Sequence, residues 1–247
     1  MNQRNLKLIL CYDGSAYHGW QIQENADTVQ QRIADACERI LGEKVTVYGC
    51  SRTDTGVHAN EYCCNFKTYT DRDNSKIVRG LNAVLPGDIA VKSCEDIELD
   101  FNSRFDTKGK QYIYKIWNAP YKNPFMNNKV LHYPYKIDCD KLNRQCKDFI
   151  GTHDFTAFCS AGSDVKDKVR TIFDCSVERE GELVIFSVSG DGFLYNMVRI
   201  MVGTLLDINS GRIPEGSISD ILMSKSRTKA GITAKPQGLY LNKVYYD

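Results

Sequence analysis

The stretch SRTDTGVHA, residues 51–59, combines side chains that could carry out chemistry. Arg52, Asp54 and His58 lie close together, and Asp54 is the only carboxylate among them. An ionised carboxylate can act as a nucleophile or stabilise a developing cation, and a neighbouring cation would keep it charged in a dry site. The stretch therefore predicts a catalytic loop centred on Asp54.

Two other chemistries fit this stretch less well. A hydrolase that attacks a glycosidic bond usually needs a second carboxylate as acid and base, and the stretch has one. A metal site built on Asp54 and His58 would need further clustered ligands. The four histidines are scattered and the ten cysteines form no CxxC pair. We therefore expect no bound metal.

An arginine in an apolar segment is a second candidate. Arg199 lies in FLYNMVRIMVGTLL, whose other residues are almost all apolar. A buried guanidinium requires a partner. Arg199 either pairs with the carboxylate of the site, or it lies on a thin polar face with Asn196, Gly203 and Asp207 and pairs locally or meets water.

A third candidate is DTKGKQYIYK, which interleaves basic and aromatic side chains. These are Lys108, Lys110, Tyr112, Tyr114 and Lys115. Aromatic rings stack on unpaired bases while lysines contact phosphates, so the pattern suits RNA binding. The same alternation also fits tyrosines that face a core.

The elements that must position these residues follow the order β-α-β-β-α-β in the first half, a ferredoxin-like arrangement. LKLILCYDG opens as a strand, and a helix follows with Asp27 as its N-cap and Gly42 past its end. Strands are predicted at 44–50 and 61–68, a helix from about Asn74, and a strand at IAVKSC.

The second half repeats this logic. KQYIYKIWN is a strand, a helix runs from about 139 to 150 with Gly151 as its cap, and TIFDCSVEREGELVIFSVSG is a hairpin. Helices at 196–209 and 217–224 precede a closing strand, GLYLNKVYY. We expect an α+β protein of two ferredoxin-like or RRM-like halves, 1–105 and 106–247. Their antiparallel sheets would pack side by side around a central RNA-binding cleft.

Composition limits the kind of RNA site and the cellular location that we expect. The chain has 247 residues, of which 42% are hydrophobic and 26% charged, and its net charge is +1. An RNA site must therefore be a local basic patch. The N-terminus has too few apolar residues for a signal segment, and no run approaches the roughly 18 apolar residues of a membrane span. We expect a cytoplasmic protein with reduced, buried thiols and no membrane association.

Five collinear segments resemble the tRNA pseudouridine synthase A family. They are YDGSAYHGWQ, SRTDTGVHA, KGKQYIYKI, GDGFLYNMVRIMVGTLL and PQGLYL. The resemblance implies an enzyme without a cofactor that converts uridine to pseudouridine in tRNA. It also implies a homodimer acting on the thirty-eighth to fortieth nucleotides, in the anticodon stem-loop.

The resemblance also implies roles for single residues. Asp54 matches the catalytic aspartate and Arg199 the arginine that pairs with it. Tyr112 matches the tyrosine that stacks on the target base, and Arg52 the arginine that helps to flip that base out. Three further residues are candidate RNA contacts: His58, which could instead satisfy the loop's backbone, Lys108 and Lys110.

Departures from the family pattern leave alternatives open. Ser51 replaces a usual glycine and Thr55 a usual alanine, and ANEYCCNF replaces a continuation with smaller residues. These changes bear more on which uridines are chosen than on the chemistry. A paralogue that modifies other tRNA positions or ribosomal RNA is therefore the main alternative. A non-catalytic RNA-binding module would leave the Asp54 loop without a purpose.

Overall fold

The computed structural model describes residues 2–163 and 165–246, which divide into two units by their internal contacts. The first unit comprises the chain up to Lys108 together with the segment from Tyr240 onward. The second runs from Gly109 to Leu239. The division therefore lies three residues beyond the boundary set from the sequence, and it groups the end of the chain with the first unit. Within the described residues, no helix is both long and apolar enough to cross a membrane.

The first unit follows the predicted order of elements. Its strands lie in the order β4-β1-β3-β2, and each neighbouring pair is antiparallel, as expected for a ferredoxin-like arrangement. The elements are β1 (Arg4–Tyr12), α1 (Val29–Leu41), β2 (Tyr48–Gly49), β3 (His58–Thr68), α2 (Asn74–Val84) and β4 (Ile89–Ile97).

Alternation along β1 builds the core of this unit. Leu6, Leu8 and Leu10 are fully buried, and Leu8 lies opposite the equally buried Cys64 of β3. Successive side chains of a strand point to opposite faces, so the residues between these leucines face away from that core. The strand predicted at LKLILCYDG is therefore confirmed.

Helix α1 begins one residue later than predicted. Thr28, in an extended conformation, accepts the Gln31 N–H on its hydroxyl and is the N-cap. The Asp27 carboxylate instead pairs with the guanidinium of Arg32, where Nε lies 2.8 Å from Oδ1. At the other end, Gly42 adopts a left-handed conformation with φ of 76° and ends the helix as predicted.

The strand predicted at 44–50 forms a much shorter ladder. Only Tyr48 and Gly49 pair with β3. Val47 is buried, and its carbonyl accepts the side-chain amide of Gln30 at 2.8 Å. The apolar alternation predicted the burial of Val47 correctly, but a residue can be buried without pairing in a sheet. The next strand, β3, begins earlier than predicted, at His58.

The second unit carries a sheet in the order β5-β9-β8-β7, antiparallel throughout, with β6 added in parallel to β5. The elements are β5 (Gly109–Trp117), β6 (Leu131–His132), α3 (Cys139–Cys146), β7 (Gly151–Asp154), β8 (Val169–Glu180), β9 (Leu183–Gly190), α4 (Met197–Asn209) and α5 (Ile218–Ser224). The helix predicted at 139–150 ends at Cys146. A 3-10 turn, Lys147–Phe149, follows it, and Gly151 begins a strand instead of capping the helix.

The last strand, β10 (Leu239–Tyr245), returns to the first unit. It runs parallel to the start of β3, with Tyr240 opposite His58 and Leu241 opposite Ala59. The end of the candidate catalytic stretch therefore lies inside a sheet, between two strands from opposite ends of the sequence.

Candidate active site

The loop between β2 and β3 carries Asp54. Within it, the Val57 N–H donates to the Asp54 carbonyl at 3.1 Å, and Gly56 has a φ of 76°. A turn with its third residue at positive φ strongly favours glycine there, which explains Gly56. Asp54 is half-buried at the first position of this turn, and Arg52 is exposed.

The segment that follows β1 packs directly against this loop. The backbone N–H of Trp20 donates to the Thr53 carbonyl at 3.2 Å, and the backbone N–H of Gly56 donates to the Tyr17 carbonyl at 3.3 Å. A Cβ atom on Gly19 would lie 2.3 Å from the Thr53 carbonyl oxygen, closer than any real contact. The glycine in YHGWQ is therefore required by a backbone that approaches the Asp54 loop.

Three aromatic rings lie beneath the start of the loop. The Tyr62 hydroxyl donates to the Ser51 carbonyl and accepts the Ser51 N–H at 3.4 Å. The Tyr12 hydroxyl lies 2.9 Å from the Thr53 hydroxyl, and Trp20 stacks on Tyr62. Complete burial raises the pKa of Tyr62 well above its ordinary value, so the hydroxyl stays protonated and can donate.

Neither Trp20 nor Tyr62 was predicted from the sequence as part of the site. A usable signal was present, because Trp20 falls in one of the five segments that resemble the family. Tyr62 lies in β3, where its burial follows the alternation of the strand.

His58 joins three parts of the first unit. Its ring is 1% exposed and stacks on Tyr240, with ring centroids 4.5 Å apart. Nδ1 accepts the Gly14 N–H at 3.1 Å and also lies 3.0 Å from a carboxylate oxygen of Asp13. These contacts fit the interpretation in which His58 satisfies its surroundings, and they place its ring below the surface.

In the second unit, the two tyrosines of β5 are both buried, Tyr112 at 6% exposure, but they have different neighbours. Tyr112 is held edge-on by Phe193, with ring centroids 5.1 Å apart and planes at 80°. Tyr114 is fully buried, and its hydroxyl donates to the Lys235 carbonyl at 2.6 Å. Burial raises the pKa of Tyr114 above its ordinary value. Tyr114 is therefore a core residue. The two candidate lysines, Lys108 and Lys110, are exposed and half-buried respectively.

Arg199 is a half-buried polar position of α4, a helix whose residues from Ile200 to Ile208 are all buried. Its Nε donates to the Ala234 carbonyl at 2.7 Å, and a terminal nitrogen donates to the Asn196 side-chain oxygen at 2.6 Å. The local pairing that the sequence analysis considered is therefore present. The carbonyl and the amide together orient the guanidinium.

No three histidine, cysteine, aspartate or glutamate side chains come together as a metal would require among residues 2–163 and 165–246. All ten cysteines are free thiols. Burial raises the pKa of Cys37 to about 12 and that of Cys63 to about 11, which keeps these thiols protonated and poor as ligands.

Comparisons with known proteins cover nearly the whole chain. A family model described as tRNA pseudouridine synthase matches residues 9–106 and 146–247. The tRNA pseudouridine synthase A of Acetivibrio thermocellus is 46% identical, and that of Clostridium acetobutylicum 48%, each over 98% of this chain and 100% of the relative. A solved Cbf5-Nop10-Gar1 complex is more distant, with 12% identity and a TM-score of 0.42 over 96% of this chain and 48% of that one. The sequence resemblance is thus confirmed, and the chain belongs to the tRNA pseudouridine synthase family.

Proposed function

We propose that this protein is an isomerase that converts uridine to pseudouridine in tRNA, with Asp54 as the nucleophile. The observation that carries the proposal is the construction of the Asp54 loop. A turn, a backbone approach at Gly19 and two buried tyrosine hydroxyls fix the residues around one carboxylate. The family match supplies the reaction that such a carboxylate would perform.

The reaction needs one carboxylate and no external reactant. The target base first leaves its stack, at a cost of about a few kcal/mol. Asp54 then attacks C1′ of the ribose, or stabilises its positive charge, while uracil departs with the electron pair of the N1–C1′ bond. Uracil rotates, and C5 bonds to C1′ as the Asp54 carboxylate leaves that carbon with its electron pair. The C5 proton is then lost while N1 gains one. Substrate and product are isomers.

The other site residues take supporting roles in this proposal. Arg199 pairs with Asp54 and keeps the carboxylate ionised away from water. Tyr112 stacks on the uracil, its ring held edge-on by Phe193. Arg52, exposed on the loop, helps to displace the base or grips a phosphate. Lys108 and Lys110 are candidate phosphate contacts, and so is His58 if its ring becomes accessible.

Asp54→Asn is the direct test of this chemistry. The amide is nearly the same size as the carboxylate but is not nucleophilic. We expect the variant to fold, to bind tRNA and to release no tritium from tRNA that carries 5-³H-uridine, because tritium leaves only when C5 forms the new bond. Asp71→Asn, which removes an exposed carboxylate of the same unit, is the matched control and should keep full turnover. Substantial tritium release by Asp54→Asn would refute the assignment.

The finer proposal concerns the position modified. We propose that the substrate uridines lie in the anticodon stem-loop, at the thirty-eighth to fortieth nucleotides, and that the enzyme acts as a homodimer in the cytoplasm. The runner-up is a paralogue specific for other tRNA positions or ribosomal RNA. Carbodiimide mapping of pseudouridines in total RNA, from cells with and without the gene, separates the two. Signals lost outside the anticodon arm would favour the runner-up.

A further inference from the structure

A segment of backbone, residues 230–235, covers the face of α4 that carries Arg199, Gly203, Thr204 and Asp207. Gly203 and Gly231 make this contact possible. A Cβ on Gly203 would lie 1.8 Å from the Ile232 carbonyl oxygen, and one on Gly231 would lie 2.6 Å from the Thr204 Cα. The 230–235 segment therefore lies directly on the helix backbone, with no room for a side chain between them.

Two side chains of α4 form hydrogen bonds with the backbone of the 230–235 segment. The Thr204 hydroxyl accepts the Gly231 N–H at 2.9 Å while it donates to the Ile200 carbonyl at 2.8 Å. One turn further on, Asp207 accepts the Ile232 N–H at 3.2 Å. Thr204 is fully buried, so no RNA can reach its hydroxyl in the folded protein.

Arg227 holds the same segment from the other side. One terminal nitrogen of its guanidinium donates to the carbonyls of Ala230, at 3.4 Å, and Gly231, at 2.8 Å. The other donates to the Thr233 hydroxyl at 3.1 Å. The fork of the guanidinium thus spans three residues of the segment, which a lysine could not do.

The fixed segment then reaches Arg199. The Ala234 carbonyl accepts Nε of Arg199 at 2.7 Å, and the Ala234 N–H donates back to the Arg199 carbonyl at 3.0 Å. The next carbonyl, that of Lys235, accepts the hydroxyl of Tyr114 on β5. The segment therefore connects the helix that carries Arg199 with the strand that carries Tyr112.

We infer that Thr204 is a positioning residue for Arg199 and acts through the 230–235 segment. A hydroxyl that fixes Gly231 fixes Ala234 three residues later, and Ala234 orients the guanidinium. This inference rests on the proposed function, because it matters for turnover only if Arg199 serves the reaction. Misplacement of a catalytic group by about 1 Å can cost about a hundredfold in rate.

Thr204→Val tests the inference, because it keeps the shape of the side chain and removes the hydroxyl. We expect the single-turnover rate of tritium release to fall about tenfold, a fraction of the loss that displacing a catalytic group can cause. The dissociation constant for tRNA should stay unchanged. Thr204→Ser keeps the hydroxyl and should retain most of the rate. Rates are measured well below the melting temperature of each variant, so that a merely less stable protein would show the wild-type rate.

A double-mutant cycle with Arg199→Lys gives the second readout. If Thr204 acts through Arg199, Thr204→Val should add little to the loss already caused by Arg199→Lys. Losses that multiply would overturn the inference. Arg227→Lys loosens the segment from its outer side and should show the same pattern, so it replaces Thr204→Val if that variant does not fold.

The outcomes separate this inference from the proposed function. If Arg199→Lys and Arg199→Leu both keep the full rate, the proposed role of Arg199 fails and the inference fails with it. If they are impaired while Thr204→Val and Arg227→Lys both turn over at the wild-type rate, the inference alone is wrong.

Discussion

The indole of Trp20 stacks on the phenol ring of Tyr62, with ring centroids 4.0 Å apart and planes inclined by 23°. This pair joins the segment after β1 to β3, directly below the start of the Asp54 loop. Gly49 lies over the pair, and a Cβ there would come within 2.4 Å of the indole nitrogen. The loop therefore starts on a rigid aromatic base, which limits the positions that Asp54 can take.

Removal of the Tyr62 hydroxyl should loosen this base without disturbing the stack. Tyr62→Phe removes the hydrogen bonds between the hydroxyl and the two backbone groups of Ser51, and one hydrogen bond contributes about 0.5–1.5 kcal/mol. We expect the free energy of unfolding, measured by urea titration, to fall by about that amount, with a lower turnover rate. Tyr69→Phe removes an exposed hydroxyl of the same unit and should change neither. An unaltered unfolding curve for Tyr62→Phe would contradict the role of the hydroxyl.

Arg199→Leu should separate chemistry from binding. Leucine suits the apolar surface of α4 but removes the proposed partner of Asp54. We expect a loss of turnover far larger than the loss of tRNA affinity. Arg79→Leu, which removes an exposed arginine from helix α2, is the control for a general loss of charge. Equal losses of turnover and affinity in Arg199→Leu would indicate a phosphate contact, and unchanged turnover would show that Arg199 has no part in the reaction.

Chelators should have no effect. We predict that extensive dialysis against EDTA, or against a zinc-specific chelator, leaves both turnover and melting temperature unchanged, because the proposed chemistry uses only protein side chains. The measurements are tritium release and a thermal unfolding scan before and after dialysis. A drop in either that zinc restores would show that the expectation of no metal was wrong.

The homodimer and its substrate preference can be tested together. A net charge of +1 gives one chain little electrostatic hold on tRNA, because affinity grows with the number of phosphates neutralised. Two chains would place their basic patches along one tRNA. We expect a dimer by light scattering, and a much higher rate on full-length tRNA than on an isolated anticodon stem-loop. A monomer that modifies both equally would contradict this prediction and leave the Asp54 chemistry intact.

Much of the fold could be predicted because its signals are local. The apolar residues of β1 predict a strand, and the glycine after α1 predicts where that helix ends. The errors arose at the ends of elements, where a local pattern leaves more than one boundary open. Val47 is buried outside the ladder, where its carbonyl accepts the Gln30 amide, so the apolar pattern overstates the length of β2. Thr28 rather than Asp27 caps α1, because the two candidates are adjacent and Thr28, in an extended conformation, accepts the Gln31 N–H.

The candidate site was only partly visible in the sequence. Asp54 and Arg199 could be proposed from the sequence because a lone carboxylate and an arginine among apolar residues are unusual in their surroundings. The groups that hold them are ordinary residues far away in the chain. Tyr62, in β3, forms hydrogen bonds with the backbone of Ser51. The guanidinium of Arg199 is oriented by the backbone carbonyl of Ala234, a group that every residue has. Side-chain type alone cannot reveal a role performed by the backbone.

The parallel pairing of β10 with β3 has a consequence for the order of events on the ribosome. His58 leaves the ribosome before the second unit is made, but the ring that stacks on it, Tyr240, is synthesised only after that unit. The unit that carries Asp54 therefore stays incomplete until the whole second unit has been synthesised. Contacts between such distant parts of a chain form slowly, because a long loop must close first. A ribosome that stalls before Tyr240 would release a chain that contains Asp54 but lacks one of the strands that border its loop.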